Sequence, residues 1–154
     1  MFQIHPLPAA GFRSLYGLSE KELAERAIEV HISDGAFPCR VSLADAAEGA
    51  RVLLLNFEHL PEETPYRSRH AIFVADGAEE YRPAPGSVPE SIASRLLSVR
   101  AFDTTHRMID AEVVEGVGAG RVIQTFFANP DAEYLHLHYA RRGCFAASVT
   151  RAAP

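Results

Sequence analysis

Seven histidines are spread along the 154 residues of this chain, and two of them stand two apart in Tyr134-Leu135-His136-Leu137-His138-Tyr139. On a β-strand alternate side chains share a face. Tyr134, His136 and His138 therefore take one side, and Leu135, Leu137 and Tyr139 the other. Two imidazoles so placed can converge on a transition metal or on one anionic substrate. A catalytic metal would need a third ligand and an open position. His59, His70, Glu58 and Asp110 are the residues that could supply the ligand, although spacing alone does not bring any of them to the pair. The same pattern also describes a half-exposed strand face that carries two histidines.

Two further stretches hold chemistry-bearing residues. In Tyr66-Arg67-Ser68-Arg69-His70, the arginines share one face of the expected strand and Ser68 and His70 the other. An arginine at a strand end can fork onto a carboxylate or phosphate, or simply be solvated. In Phe37-Pro38-Cys39-Arg40 the neighbouring guanidinium can activate the thiol. No glycine-bracketed nucleophile signature surrounds it, and a free cysteine equally serves as a small buried apolar residue. Cys144, which opens a strand beside Phe145, reads the same way. The candidate catalytic residues are thus Cys39, His70, His136 and His138, and the candidate ligand-binding residues are Arg40, Tyr66, Arg69 and Tyr134. A glycine-rich loop, Gly116-Val117-Gly118-Ala119-Gly120-Arg121, follows a strand and opens a helix. Its spacing puts arginine where a dinucleotide loop needs its third glycine, so it reads as a flexible connection. Asp110 and Glu112 share a strand face and suit either acid–base work or solvation.

Three helices position these residues. Ser19 and Glu22 form a capping box, with Leu18 and Leu23 as its hydrophobic staple. Ser87 and Glu90 stand in the same relation before the apolar stripe Ile92, Ala93, Leu96 and Leu97. A third helix spans about 120–128, with Val122, Ile123, Phe126 and Phe127 as its apolar stripe, and Asn129-Pro130 ends it. Period-2 alternation predicts strands over 28–33, 38–43, 51–58, 67–75, 97–102, 107–114, 133–139 and 144–150. Asp103 reads as a turn residue that bonds its own backbone, joining two strands, and the last two strands read as a hairpin. Short connections between strands with interspersed helices predict an α+β fold, with one antiparallel or mixed sheet of about 6–8 strands and three helices. No linker divides residues 1–154, so a single domain is expected.

Composition narrows the partners. Lys+Arg is 15 and Asp+Glu is 20, for a net charge of −5, which argues against a general nucleic-acid binder. Lys21 is the only lysine beside fourteen arginines and 24 alanines, the skew expected of a GC-rich bacterial genome. No apolar run approaches the roughly 18 residues of a membrane helix. No signal peptide is recognisable, and two cysteines do not make a disulfide framework. A cytoplasmic address is expected, and the motifs imply no cofactor.

Several stretches taken in order resemble a known family. They are Phe37 to Leu43, Leu53 to His59, Thr64-Pro65-Tyr66 with His70 to Val74, Arg100 to Asp103, Asp110-Ala111, Tyr134 to His136 with His138, and Gly143-Cys144-Phe145. Together they are similar to the bacterial family of small proteins designated domain of unknown function 1203. The resemblance spans nearly the whole chain and implies a stand-alone bacterial protein, with no activity to carry over.

Three functional readings follow. The first is a small-molecule binding protein or enzyme for an anionic metabolite, with a pocket lined by His136, His138, His70, Arg69, Arg40 and Cys39. The second is a non-enzymatic interaction module, a homodimer paired through a strand edge or through the Leu135/Leu137 face. The third is a metal-dependent enzyme using His136 and His138.

Overall fold

The computed structural model describes residues 1–153. In chain order the elements are β1 (Phe2–His5), α1 (Glu20–Ala24), β2 (Glu29–Ile32), β3 (Phe37–Pro38), β4 (Asp45–Ala46), β5 (Arg51–Leu60), β6 (Ser68–Ala75), α2 (Glu90–Ala93), β7 (Leu96–Phe102), β8 (Met108–Glu115), α3 (Ala119–Phe127), β9 (Tyr134–Tyr139) and β10 (Phe145–Arg151). Among the described residues no helix is long and apolar enough to cross a membrane.

The expected α+β class holds, but one sheet of 6–8 strands does not form. Among the described residues ten strands divide into a five-stranded sheet ordered β1-β10-β9-β7-β8, a three-stranded sheet ordered β2-β5-β6 and the small β3-β4 pair. Every strand pair is antiparallel, and a single parallel bridge joins Cys39 to Phe73. Alternation shows which face of a strand is buried but not which distant strand lies beside it, so the split into sheets was not readable. The β5–β6 and β7–β8 hairpins and the expected β9–β10 hairpin all form. Cys39 to Leu43 leave the strand after Pro38, and their turn carries Leu43 at φ 50.

The third helix forms as Ala119–Phe127, within one residue of its expected span, whereas α2 is cut shorter than its apolar stripe suggests. At α1 the Ser19 side chain accepts from the Glu22 N–H and Glu22 reaches back to the Ser19 N–H, the full capping box. Ser87 caps nothing. Its hydroxyl donates to Ala84 O at 2.6 Å, and Pro89 is the residue that precedes α2. The chain then enters β7 at Leu96, because Leu97 and Val99 are needed in the core of the five-stranded sheet. Asp103 closes the β7–β8 turn as expected, with Oδ1 accepting from the N–H of Thr105 and of Arg107.

Each face of the five-stranded sheet has its own cover. Leu135, Leu137, Leu97, Val99 and Val149 are fully buried with Ala119 and Ile123 on the α3 side. The Leu135/Leu137 face is therefore inside the molecule and is not a dimer surface. The opposite face, carrying His136, His138 and Phe145, meets the three-stranded sheet. Phe145 packs in one cluster with Ile72 and Val74 of β6, and its ring lies 6.5 Å from that of Phe57 on β5. The seam between the two sheets is where the histidines converge. The free β8 edge carries Asp110 and Glu112 and a register shift near Phe102, devices that keep natural sheet edges from pairing.

Candidate functional site

β9 delivers two of the site's imidazoles as alternation predicts. His136 and His138 are 5% and 1% exposed, while their neighbours Leu135 and Leu137 point into the other core. The third comes from β5. Leu53, Leu55 and Phe57 alternate inward along that strand, and His59 continues the same set. The ladder to β6 shifts between Glu58 and Leu60, so His59 has no cross-strand partner. A bulge of this kind aims a side chain away from the regular pleat.

The three rings meet at the seam. The His59 ring centroid lies 5.9 Å from that of His136 and 4.9 Å from that of His138. One ring nitrogen from each residue falls within 4.8 Å of the others. His59 Nδ1, His136 Nδ1 and His138 Nε2 are all buried and lack a hydrogen-bond partner. Buried polar atoms are normally satisfied, and three orphans in one cluster call for an explanation. A zinc ion with bonds of about 2.0–2.1 Å spaces tetrahedral nitrogens about 3.4 Å apart. His138 Nδ1 lies 2.9 Å from Gly143 O. It must donate there, so Nε2 holds the free lone pair, which is the orientation that second-shell carbonyls impose on ligating histidines.

The electrostatics favour neutral imidazoles. Burial pushes His136 and His138 down to about 3, and His59 down to about 4, with the Arg100 charge and the neighbouring histidines adding to the shift. The Gly143 carbonyl works the other way on His138. Arg100 sits on β7 directly across from His136, and its Nε donates to Ser98 Oγ at 3.1 Å. Among the described residues it makes no ion pair. Phe145 stacks on His59 at 5.2 Å and meets His136 and His138 edge-on. On the far side Tyr134 lies beside His136, and its hydroxyl is 2.9 Å from His106 Nδ1. Burial, with Glu62 and Asp103 nearby, raises the Tyr134 phenol to about 12. His106 reaches it from a left-handed backbone, φ 60.

The sequence candidates separate into distinct places. His136, His138 and Tyr134 share this site, and Tyr66 borders it through a 6.4 Å edge contact with Phe102. Of the four candidates for a third ligand, His59 is the one that joins. Glu58 pairs with Arg67 at 2.7 Å, and Asp110 is exposed and accepts from the Ala111 N–H. His70 is close enough for its charge to act on His59, but its Nδ1 lies 3.1 Å from Ala71 O. Arg69 is exposed and donates to Asn56. Cys39 is 2% exposed, with Sγ accepting from the Ala75 N–H at 3.3 Å, the buried apolar role. Arg40 lies elsewhere, against Cys144 and Tyr139. Arg100 and His106 were not singled out. The signal for Arg100 was a charged residue between Val99 and Ala101 in an otherwise apolar strand.

Burial of the neutral rings has a consequence for the metal-free protein. The unfolded chain titrates its histidines near the ordinary 6.5, while the folded values lie at about 3 to 4. Between those values the unfolded state binds more protons, so stability is complete above pH 6.5 and falls as pH drops below it. Melting temperature should therefore decline between about pH 6.5 and 5, above the usual carboxylate range. His136→Leu should flatten that decline. Parallel pH profiles for the two proteins would contradict this.

The chain matches, over residues 36–151, the model of a family described as "Protein of unknown function (DUF1203)". No curated protein and no solved structure matches it. The matched region contains His59, Arg100, His136 and His138 together.

Proposed function

The chain belongs to this family, whose description carries no activity, and from the site's geometry we propose that it is a metal-dependent protein. His59, His136 and His138 hold a divalent transition metal of the zinc class. The carrying observation is the convergence of the three imidazoles, one ring nitrogen of each within 4.8 Å of the others, together with a buried unpartnered nitrogen on every one of them. Imidazole ligands suit zinc, copper, iron and nickel rather than magnesium or calcium. Three protein ligands leave a fourth position for water or substrate, the arrangement of catalytic rather than structural zinc.

Charge supports an anionic ligand. Three neutral imidazoles, a divalent ion and the Arg100 guanidinium sum to a positive centre with no carboxylate ligand. The ligand at the open position is a small anionic molecule, oriented by Arg100. A metal so held would supply Lewis-acid chemistry, activating a water or polarising an oxygen of the bound anion. Metal-assisted addition of water to an anionic metabolite is the reaction class that follows. Phe145 and Phe102, packed against the rings, keep the surroundings dry, which strengthens these electrostatic contacts.

The test is cobalt-substituted protein, whose visible spectrum reports what binds at the metal. Titration with acetate or inorganic phosphate should change that spectrum saturably. Arg100→Met should keep the cobalt and weaken the anion by about 10-fold or more, since a hydrogen bond to a charged group contributes about 1.5–3 kcal/mol. A spectrum indifferent to anions, or equal affinity in the variant, would sink the proposal.

A further inference from the structure

A second cavity has a lining separate from the three histidines. A cavity of about 640 Å³ is lined by Phe37 and Phe73 together with Arg40, Arg95, Arg141 and Arg142. This volume is within the ordinary range of small-molecule pockets. None of the metal ligands lines it.

One wall is aromatic. Phe37 and Phe73 stack with ring centroids 4.6 Å apart, and the His31 ring meets both edge-on at 6.4 Å and 6.2 Å. They come from three elements, β2, β3 and β6, yet none of the three side chains is fully buried. The apolar surface is built and left open on one side.

The other wall is basic. Arg40 is 1% exposed, among the most buried large side chains in the molecule. Its Nε donates to Phe145 O at 2.7 Å, its Nη1 to Pro38 O at 2.5 Å and its Nη2 to Cys144 Sγ at 3.2 Å. Its guanidinium lies 4.9 Å from the Tyr139 ring centroid. Among the described residues no carboxylate pairs with it. A buried charge held only by neutral groups is costly, and its field passes into the adjoining space. Arg95, 5.4 Å from the same Tyr139 ring, is offset by Asp45 at 2.9 Å. Arg141 and Arg142 are exposed and appear in no ion pair. Against the three arginines that remain, the lining supplies two carboxylates, Asp34 and Glu115. The cavity is thus net positive in a chain whose net charge is −5.

We propose that this cavity binds a second small molecule, one with a flat apolar or aromatic body and an oxyanion at one end. The body lies along Phe37 and Phe73, and the oxyanion faces Arg40, Arg141 and Arg142. The cavity shares no lining residue with the three histidines, and the inference goes beyond the function proposed above.

Phenylphosphonate and benzoate are suitable probes, with methylphosphonate and benzyl alcohol as the separated halves. Calorimetry on the full chain, with chelator present, should show saturable binding of at least one intact probe. Each half should bind about 10-fold more weakly or worse. Tighter binding of phenylphosphonate assigns the oxyanion as a phosphoryl group, and tighter binding of benzoate as a carboxylate; both uphold the site. Arg141→Ser combined with Arg142→Ser touches only exposed side chains and should weaken the intact probe about 10-fold, whereas Arg100→Met should leave it unchanged. No saturable binding by the wild type would overturn the proposal. So would unchanged affinity in the double variant, or methylphosphonate binding as tightly as phenylphosphonate. Because chelator removes the metal, failure here and failure of the metal centre are read separately.

Discussion

His138→Ala should abolish stoichiometric zinc binding. Saturating zinc should stabilise the wild type, because an ion that binds the folded state alone adds RT ln(1 + [L]/Kd), about 4 kcal/mol at a thousandfold excess over Kd. For a chain of this size that is a rise in melting temperature of about 8–16 °C. The variant should show no such rise. Loss of an outer-shell partner of a ligating histidine already costs about 10–100-fold in metal affinity, and loss of one ligand of three should cost more. His59→Ala tests the same point with less risk to folding, since His59 is only half-buried. His70→Ala is the control, because His70 neighbours His59 without joining the nitrogen cluster. Differential scanning fluorimetry with and without zinc reads all three variants. Equal zinc-induced shifts in wild type, His59→Ala and His138→Ala would remove the histidines from the site.

The second large effect is expected at Gly116, and it is structural. A Cβ at this position would stand 2.4 Å from Ile92 O and 2.6 Å from both Ala93 O and Arg95 O. All three are backbone atoms with no side-chain freedom to give way. The Gly116 N–H also donates to Arg95 O at 2.8 Å, so the two segments cannot separate without losing that bond. Gly116→Ala should cost about 3 kcal/mol or more, the upper end of overpacking effects. Its neighbours calibrate the result. A Cβ on Gly118 meets only Val114 Cγ2 at 3.0 Å, and one on Gly120 finds ordinary contacts at 3.7 Å and beyond. Urea denaturation should rank the alanine variants with Gly116 far the worst and Gly120 near neutral. A Gly116→Ala protein as stable as the wild type would contradict the packing described.

That glycine also shows what a sequence conceals. Read along the chain, Gly116-Val117-Gly118 is a flexible link between a strand and a helix. In the fold Gly116 presses against the backbone of Ile92, Ala93 and Arg95, a contact between residues more than twenty apart that no local pattern encodes. Ser87 is similar: its spacing to Glu90 fits a capping box, yet its hydroxyl serves Ala84. β1 went unread because four alternating residues, Phe2 to His5, are too few to stand out before Pro6 and Pro8.

The candidate site was legible in the same uneven way. The inward face of His136 and His138 follows from period 2 alone, and β9 keeps it. His59 was one of four equal candidates for a third ligand, because the register of two separate sheets decides which of them arrives. Arg100 belongs to the site through its cross-strand place opposite His136, which is likewise a matter of pairing. Local alternation is written in the residues themselves, whereas convergence between sheets is a property of the whole chain.

X-ray absorption spectroscopy at the zinc edge, on protein purified without a histidine tag and loaded with one equivalent, tests the central claim most directly. The account predicts three imidazole nitrogens and one light oxygen donor at about 2.0–2.1 Å, with no sulfur shell. A sulfur shell at about 2.3 Å would move the metal to Cys39 or Cys144. Either that result or an inability to retain one equivalent of metal would contradict a three-histidine centre.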